Sequence, residues 1–249
     1  MIKVASISGG KDSTAMLIVL AMEDTPLDYV VFLNTGLEFP QTIRFIREKL
    51  DPWCREHFGL NITFIYPKKP FGYYFQKYGV PNAPNGRWCC RVLKKDPFYY
   101  WLKENVEDSD IILYLGYAYN EKERFERAKR EAEKWWKRRS KNVIVKAPLI
   151  EAKIDEKGAK EICKKHKLLN PLYEHFDRTG CWLCPFQGKR DWFKLYKYYP
   201  QLWEAAKRIE RKSIEMGKYA FRQEYTLEDL ENKFRLIKTL VEIGLNGGE

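Results

Sequence analysis

Short apolar runs alternate with amphipathic stretches through the first 150 residues. The apolar runs predict strands at Val4–Ser8, Tyr29–Asn34, Ile62–Tyr66, Ile111–Gly116 and Val143–Lys146. The stretches between them are compatible with helices over Ser13–Met22, Gln41–His57, Lys94–Asn105 and Glu121–Arg138. The strands are apolar almost throughout, as expected where helices cover both faces of a sheet. This alternation predicts an α/β fold with a doubly wound, mostly parallel sheet.

The composition changes after Pro148. Beyond it, helical patterns cover Asp155–His166, Asp191–Met216 and Leu227–Ile243, and a loop rich in Pro, Gly and Cys lies at Asn170–Lys189. Thr226 to Asp229 has the pattern of a capping box at the start of the last helix. We predict an α/β domain over residues 1–150 and a helical C-terminal extension over residues 151–249.

The chain of 249 residues carries a net charge of +11. This charge has two interpretations: a partner that is anionic, such as a nucleotide or polynucleotide, or a basic surface that only keeps the protein in solution. No run reaches 18 apolar residues, which predicts no membrane span. The sequence enters its first strand without a signal-peptide pattern, so we expect a cytoplasmic protein. Cysteines in cytoplasmic proteins more often bind metal or take part in redox reactions than form structural disulfides.

A glycine turn separates the first predicted strand from the first predicted helix. It reads Ser8-Gly9-Gly10-Lys11-Asp12-Ser13-Thr14. Backbone N–H groups and a lysine at a helix N-terminus form a binding site for phosphate. The turn follows the carboxyl end of a strand, where ligands bind on such sheets. It does not match the common GxxxxGK[ST] loop of ATPases.

Two pairs of cysteines stand far apart in the sequence. One pair is Cys89-Cys90, and the other is Cys181 and Cys184 of a CxxC motif. Four thiolates that meet in space can hold zinc or a [4Fe–4S] cluster. We favour the cluster, because consecutive residues poorly supply two ligands to one small ion. The alternative is that Cys89 or Cys90 is a buried apolar residue.

Together these motifs resemble the phosphoadenosine/adenosine phosphosulfate reductase family of the PP-loop superfamily, whose fold is that of the adenine nucleotide alpha hydrolases. The resemblance covers about residues 1–190 and rests on Ser8–Ser13, Asn34–Pro40, Cys89-Cys90, Lys94–Pro97, Gly116 with Glu121 and Arg124, Asn170–Tyr173 and Arg178–Phe186. It implies that an adenine nucleotide is bound by Ser8, Gly9, Gly10, Lys11, Asp12, Ser13, Thr35, Gly36, Glu38, Gly116 and Arg124. It also implies that a [4Fe–4S] cluster is held by Cys89, Cys90, Cys181 and Cys184, although a sulfur-carrying role would require one of the four not to ligate.

The sequence departs from the phosphosulfate reductases in several respects. No cysteine follows Cys184, whereas those reductases attack sulfur with a cysteine near the C-terminus. Asn34 stands where the family usually has Asp, and Ala118 stands in place of the Arg of its Gly-x-Arg motif. The glycine turn is intact, which suits the pyrophosphate of ATP. We therefore predict an ATP pyrophosphatase that adenylates an acceptor for sulfur transfer, with Lys11 holding the phosphates and Asp12 helping to hold Mg²⁺.

The resemblance also names partners and competing functions. The acceptor would be tRNA or DNA, served by a sulfur donor or a thioredoxin-like protein. The second hypothesis is a phosphosulfate reductase that uses an external thiol, and the third is a non-catalytic iron–sulfur subunit that binds nucleotide or nucleic acid. Aromatic and basic residues mix at Glu121–Lys141 and Lys189–Lys218. They would bind nucleic acid or, as the helical spacing favours, place their aromatic rings in the core.

Overall fold

A computed structural model describes residues 1–82, 88–106, 110–138 and 142–242, with side chains up to residue 236. The strands are β1 (Ile2–Ile7), β2 (Tyr29–Leu33), β3 (Ile62–Ile65), β4 (Ile111–Leu115) and β5 (Val143–Lys146). The α-helices are α1 (Lys11–Met22), α2 (Pro40–Phe45), α3 (Asp51–Phe58), α4 (Phe71–Tyr78), α5 (Trp88–Cys90), α6 (Asp96–Asn105), α7 (Lys122–Lys137), α8 (Pro148–Glu151), α9 (Glu156–Lys165), α10 (Lys189–Tyr198), α11 (Pro200–Glu215) and α12 (Leu227–Glu242). Two π-helical segments lie at Ile46–Leu50 and Arg91–Lys95, and 3₁₀ turns lie at Tyr119–Glu121 and Pro171–Glu174.

The chain forms two compact units. The first contains residues 1–68 and 93–179, and the second contains residues 69–92 and 180–249. Within the described ranges, no helix is long and apolar enough to cross a membrane. The predicted domain boundary near residue 150 rests on a change in composition and stays a prediction, whereas the compact units follow contacts in space. Helix α9, which lies beyond that boundary, packs against α1 within the first unit.

The first unit is built on a five-stranded parallel sheet in the order β3-β2-β1-β4-β5. This confirms the predicted doubly wound α/β fold. The chain adds β2 and β3 on one side of β1 and then β4 and β5 on the other side. The connection after β1 therefore leaves the sheet where the strand order reverses, which is the usual place for a ligand in open α/β sheets.

Each face of the sheet is covered by its own apolar cluster. Val30 and Phe32 of β2 pack in the cluster that contains α1 and Cys163 of α9. Val31, the residue between them, packs in the opposite cluster with residues of α6 and α7. Successive side chains of a strand point to opposite faces, so a strand covered on both sides must be apolar at every position. This requirement explains the uninterrupted apolar runs.

Several predicted helices differ from the observed ones for local reasons. The predicted helix Asp191–Met216 is two helices, α10 and α11, because Pro200 has no N–H to continue the first. The predicted helix Gln41–His57 contains a π-helical segment before α3. Helix α4 and the short helix α5, which carries the Cys89-Cys90 pair, were not predicted. Ile243, the predicted end of α12, lies outside the described residues.

The second unit contains α4, α5, α10, α11 and α12. Its core includes the fully buried side chains of Trp192, Trp203 and Phe221. The predicted capping box is confirmed: the Thr226 N–H and hydroxyl donate to Asp229 Oδ2, and the Asp229 N–H donates to Thr226 Oγ1 at 3.2 Å. Trp192 of α10 is buried in this core, as its helical spacing favours, whereas Tyr198 of the same helix is exposed.

Candidate functional site: a glycine loop and a thiol cluster

The loop between β1 and α1 is closed by its own side chains. Ser13 Oγ accepts the Ser8 N–H at 3.1 Å and donates to the Gly10 carbonyl at 3.0 Å. Gly9 has φ +72°, and a Cβ there would lie 3.0 Å from Thr42 and from Ile46. Glycine is favoured at this position by its left-handed conformation, and a Cβ would also crowd these two side chains. The motif Ser8–Ser13 thus folds as one tight turn.

The first turn of α1 presents backbone N–H groups. These groups lack acceptors within the helix, because no carbonyl lies four residues earlier in the helix. The Lys11 N–H donates instead to the Tyr173 hydroxyl at 2.9 Å. The regular helical bonds begin with the Thr14 N–H, which donates to the Gly10 carbonyl at 3.0 Å. The N–H groups of Asp12 and Ser13 lie in the same turn, and they are the donors that we expect an anion to meet.

Lys11 lies among carboxylates. Its Nζ is 2.9 Å from Asp12 Oδ2 and 3.4 Å from Glu156 Oε2. Burial opposes the charged form of Lys11, but the hydrogen bond to Asp12 and the charges of Asp12, Tyr173 and Glu156 outweigh burial and raise its pKa. Lys11 is therefore a fixed ammonium at neutral pH, as contact with phosphate requires.

The surroundings of Asp12 oppose its charged form, unlike those of Lys11. Burial raises its pKa, the Lys11 ammonium lowers it, and the charges of Glu156 and Glu121 add to the rise. The carboxylate form is thus disfavoured by the surroundings, although it is the form that a cation needs. Oxygen ligands on carboxylates suit Mg²⁺, which would relieve the repulsion among these three groups.

Gly116 brings the end of β4 against the loop. A Cβ at this position would lie 2.5 Å from the Cα and the N of Ser13. Only glycine permits this approach of two backbones. Arg124 lies on α7, where it pairs with Glu121 and keeps about two thirds of its side chain exposed. The structure thus places Gly116 at the loop, whereas Arg124 forms an ion pair with Glu121.

Thr35, Gly36 and Glu38 form a second turn after β2. Glu38 accepts hydrogen bonds from the Thr35 N–H at 3.0 Å and from its hydroxyl at 2.8 Å. Gly36 has φ +79°, and its N–H donates to Asn34 Oδ1 at 2.9 Å. The turn borders a groove of about 410 Å³ lined by Asn34, Gly36, Glu38, Pro40, Ile43, Arg44, Arg47 and Glu48. The two arginines of this groove, Arg44 and Arg47, were not predicted as site residues.

Other residues at the loop were also missed. The buried Asn170 donates from Nδ2 to the Gly9 carbonyl at 2.8 Å and to Thr42 Oγ1 at 3.2 Å. Cys163 Sγ donates to the Lys11 carbonyl at 3.2 Å, and burial raises the pKa of this thiol to about 12. Asn170 and Tyr173 stand in a motif that carries the family resemblance, so a signal existed. Glu156 and Cys163 lie in no such motif and reach the loop because α9 packs on α1.

All four cysteines of the predicted metal site belong to the second unit. Cys89 and Cys90 lie on α5, while Cys181 and Cys184 share a turn in which the Cys184 N–H donates to the Cys181 carbonyl at 3.1 Å. The four thiols are half-buried. A hydrogen bond to Cys90, burial, and the charges of Cys90, Cys181 and Cys184 all raise the pKa of Cys89. The two sequence pairs therefore lie close enough to interact.

The surroundings of these thiols bear on what they could hold. The indole N–H of Trp88, next to Cys89, is buried without a hydrogen-bond partner among the described residues. Four thiols and an unsatisfied N–H donor fit a group that is anionic and accepts hydrogen bonds, as a metal–sulfur centre does. Over the part of the chain that the structure describes, no three His, Cys, Asp or Glu side chains are arranged to hold a single metal ion.

The sequence was also compared with known proteins. The model of the phosphoadenosine phosphosulfate reductase domain family matches residues 2–187. The chain therefore belongs to this family, which confirms the resemblance drawn from the motifs. A crystal structure of phosphoadenylyl-sulfate reductase from Candida auris in a phosphate complex is similar with a TM-score of 0.49 and 15% identity, over 73% of this chain and 82% of that one.

Curated relatives are longer than this chain. Two uncharacterized proteins of Methanocaldococcus jannaschii are 30% identical over 85% of this chain and 42% of the relative, and 29% identical over 79% and 44%. An uncharacterized nin region protein of Escherichia phage lambda is 29% identical over half of each sequence. The chain thus spans about half the length of these relatives.

Proposed function

We propose that the protein is a PP-loop ATP pyrophosphatase that adenylates an acceptor for ATP-dependent sulfur transfer. The observation that supports this most directly is the intact glycine loop, with a lysine ammonium and a carboxylate at the N-terminus of α1. A phosphosulfate carries no pyrophosphate, whereas ATP presents a triphosphate that such a loop can hold. Family membership supports an enzyme that acts on an adenine nucleotide.

In this proposal the loop binds the β- and γ-phosphates. The N–H groups of Asp12 and Ser13 and the Lys11 ammonium donate to phosphate oxygens, and Asp12 helps to hold Mg²⁺. An acceptor oxygen attacks the α-phosphorus, the bond between that phosphorus and the bridging oxygen to the β-phosphate breaks, and pyrophosphate leaves. Lys11 stabilises the negative charge that develops on the departing pyrophosphate.

Sulfur would enter in a second displacement. A hydrosulfide anion attacks the acceptor atom that carries the adenylated oxygen, AMP leaves with that oxygen, and the hydrosulfide proton goes to solvent. No electron is gained or lost in either step, so the reaction needs no external reductant. We propose tRNA or DNA as the acceptor class because the molecule is basic.

The four thiols of the second unit are proposed to hold a [4Fe–4S] cluster, with zinc as the less favoured alternative. Cys89, Cys90, Cys181 and Cys184 would be the ligands, and the Trp88 N–H would donate a hydrogen bond to the bound group. Such a centre supplies redox capacity or a position for sulfur when it is bound. The mutual influence of the thiols on Cys89 supports this assignment.

The second candidate is a phosphosulfate reductase that uses an external thiol, and family membership favours it. One experiment separates the two. Anaerobic protein is incubated with ATP, Mg²⁺, sulfide and a tRNA pool, and AMP and pyrophosphate are measured. A parallel sample receives phosphoadenosine phosphosulfate and reduced thioredoxin, and sulfite is measured. We expect AMP and pyrophosphate in the first sample and no sulfite in the second.

Variants connect that activity to the loop. We expect Lys11→Ala to slow pyrophosphate release by about 100-fold or more, because removing one preorganised electrostatic group typically costs that much. The matched control is Lys103→Ala, which changes an exposed lysine of α6 and should keep the normal rate. Pyrophosphate release at the normal rate by Lys11→Ala would contradict the proposal, and sulfite formation by the wild type would favour the reductase.

A further inference from the structure

One face of α7 carries a concentration of positive charge. Arg127, Arg130, Lys134 and Lys137 of α7 and its C-cap residue Arg138 follow one another at spacings of 3, 4, 3 and 1 residues. At 3.6 residues per turn, these spacings place all five within about 100° of one another around the helix. All five side chains are exposed. We call this set the basic stripe.

Among the described residues, the basic stripe forms no direct ion pair with a carboxylate. Glu123, Glu126 and Glu133 stand four residues before stripe residues, a spacing that often allows ion pairs. Over the described part of the chain, however, no stripe residue has a carboxylate oxygen within 4.0 Å. Arg124, one turn earlier on the same helix, does pair with Glu121. The stripe thus remains available to an external anion.

The side chains on the opposite face of α7 bear on which part of a polyanion the basic stripe can bind. Phe125 and Trp136 are buried in the core of the first unit, and Trp135 packs against that core. The two buried rings, Phe125 and Trp136, cannot stack on exposed bases, as proteins that bind single strands require. The stripe itself offers charges only, which bind the phosphate backbone of a duplex without reading its bases.

The position of α7 connects the basic stripe to the glycine loop. The helix begins directly after Glu121, whose charge acts on Asp12. At 1.5 Å per residue, the stripe starts about 9 Å beyond Glu121 and ends about 25 Å beyond it. It extends over roughly 16 Å, comparable to four or five phosphates of one strand at about 3.4 Å each along the duplex axis. A backbone bound along the stripe would therefore lead towards the loop.

We infer that the basic stripe of α7 binds the phosphate backbone of a double-helical nucleic acid and directs it towards the Ser8–Ser13 loop. This inference rests on the proposed function, because it supplies the surface by which a nucleic-acid acceptor would reach the adenylation site. The contact is with phosphates, so affinity depends on salt and little on sequence.

Binding is measured by fluorescence anisotropy with a labelled 20-base-pair DNA duplex and with an RNA duplex of the same sequence, over a range of KCl concentrations. The test variant is R127Q/R130Q/K134Q, and the control is K49Q/K103Q/K165Q, which changes three exposed lysines of the same unit. Both variants lower the net charge by three. Circular dichroism and thermal unfolding confirm that each variant is folded.

We expect the stripe variant to bind at least 10-fold more weakly at 100 mM KCl and the control to bind within 2-fold of the wild type. For the DNA duplex, the slope of log K against log [KCl] should become shallower by about 2.7 if all three changed residues contact phosphates. The duplex with the higher wild-type affinity identifies the source of the backbone. Failure of the wild type to bind either duplex, or equal losses in both variants, would overturn the inference.

The binding assay contains no ATP, so its result does not depend on adenylation. Lys11→Ala is measured in both assays, so that loss of duplex affinity and loss of pyrophosphate release are scored separately. If Lys11→Ala keeps its duplex affinity but releases pyrophosphate at the normal rate, the proposed function fails and the duplex surface stands. If the stripe variant keeps its affinity while Lys11→Ala loses pyrophosphate release, the duplex surface fails and the proposed function stands.

Discussion

Gly116 shows how one residue without a side chain can fix the geometry of the loop. The end of β4 approaches the first turn of α1 so closely that a Cβ would meet backbone atoms of Ser13. Backbone cannot rotate away as the end of a flexible side chain can. The N–H groups of Asp12 and Ser13 are therefore positioned partly by a glycine that lies more than 100 residues further along the chain.

We expect Gly116→Ala to disturb the loop and weaken nucleotide binding. The added methyl group would displace the first turn of α1, since contacts at 2.5 Å force backbone atoms to move. Overpacking of this kind typically costs 1–3 kcal/mol, so the midpoint of thermal unfolding should fall by several degrees. Calorimetric titration with ATP and Mg²⁺ should show at least 10-fold weaker binding than the wild type.

The matched control is Gly72→Ala, because a Cβ at Gly72 would meet no atom within 4 Å and the residue lies in α4. Alanine there should raise stability slightly and leave ATP binding unchanged, since glycine is the weaker helix former. Wild-type affinity in Gly116→Ala would show that the close approach does not position the loop.

The residues of the loop were predictable to different degrees. Gly9, Lys11 and Ser13 stand together in a short motif, so the sequence alone could place them at one turn. Gly116 was predicted only through the family resemblance, and Glu156 was not predicted at all. Its contact with Lys11 arises because α9 packs on α1, and no local pattern in the sequence records that packing.

At the scale of elements, periodicity predicted the sheet better than the helices. The five strands were found within one or two residues, because burial on both faces leaves a simple apolar signature. Helix boundaries depend on single residues: Pro200 divides α10 from α11, and α4 is rich in aromatic residues that are weak helix formers. The apolar clusters, and not the intrinsic preference of each segment, decide such cases.

Glu210 of α11 illustrates how one buried carboxylate holds a neighbouring segment. Its two oxygens accept the Phe221 N–H at 3.1 Å and the Leu227 N–H at 2.6 Å. The residue is 3% exposed, and burial raises its pKa in spite of these bonds. The same side chain thus holds the middle of the connection between α11 and α12 and the first residue of α12.

We expect Glu210→Ala to destabilise the second unit by about 2–4 kcal/mol, because two buried N–H groups would lose their acceptor at a cost of about 1–3 kcal/mol each, partly offset by removal of a buried charge. Urea unfolding followed by tryptophan fluorescence gives the change in midpoint. Glu215→Ala, on the exposed side of the same helix, should stay within about 0.5 kcal/mol of the wild type. Equal effects of the two substitutions would contradict this role.

At the scale of the whole molecule, each of the two units is stabilised internally by a different kind of contact. The first has a parallel sheet in which each strand is paired along its length. In the second, the segment Gly180–Gly188 contains no helix and no β-strand, and its turns rest on hydrogen bonds such as that from the Gln187 N–H to the Cys184 carbonyl at 3.1 Å. A metal centre bound to four thiols would link this segment covalently to α5.

Removal of the proposed metal centre should therefore loosen the second unit and leave the first unit unchanged. After chelation of anaerobically purified protein, we expect amide hydrogen exchange over Gly180–Gly188 to become at least 10-fold faster, while exchange over β4 stays unchanged. Iron, sulfide and zinc analyses of the same sample identify the metal. Cys54→Ser changes a cysteine buried in the core of the first unit and should keep both the metal and the protection. Exchange that rises equally in both segments, or in neither, would mean that the four thiols do not hold a metal that organises the second unit.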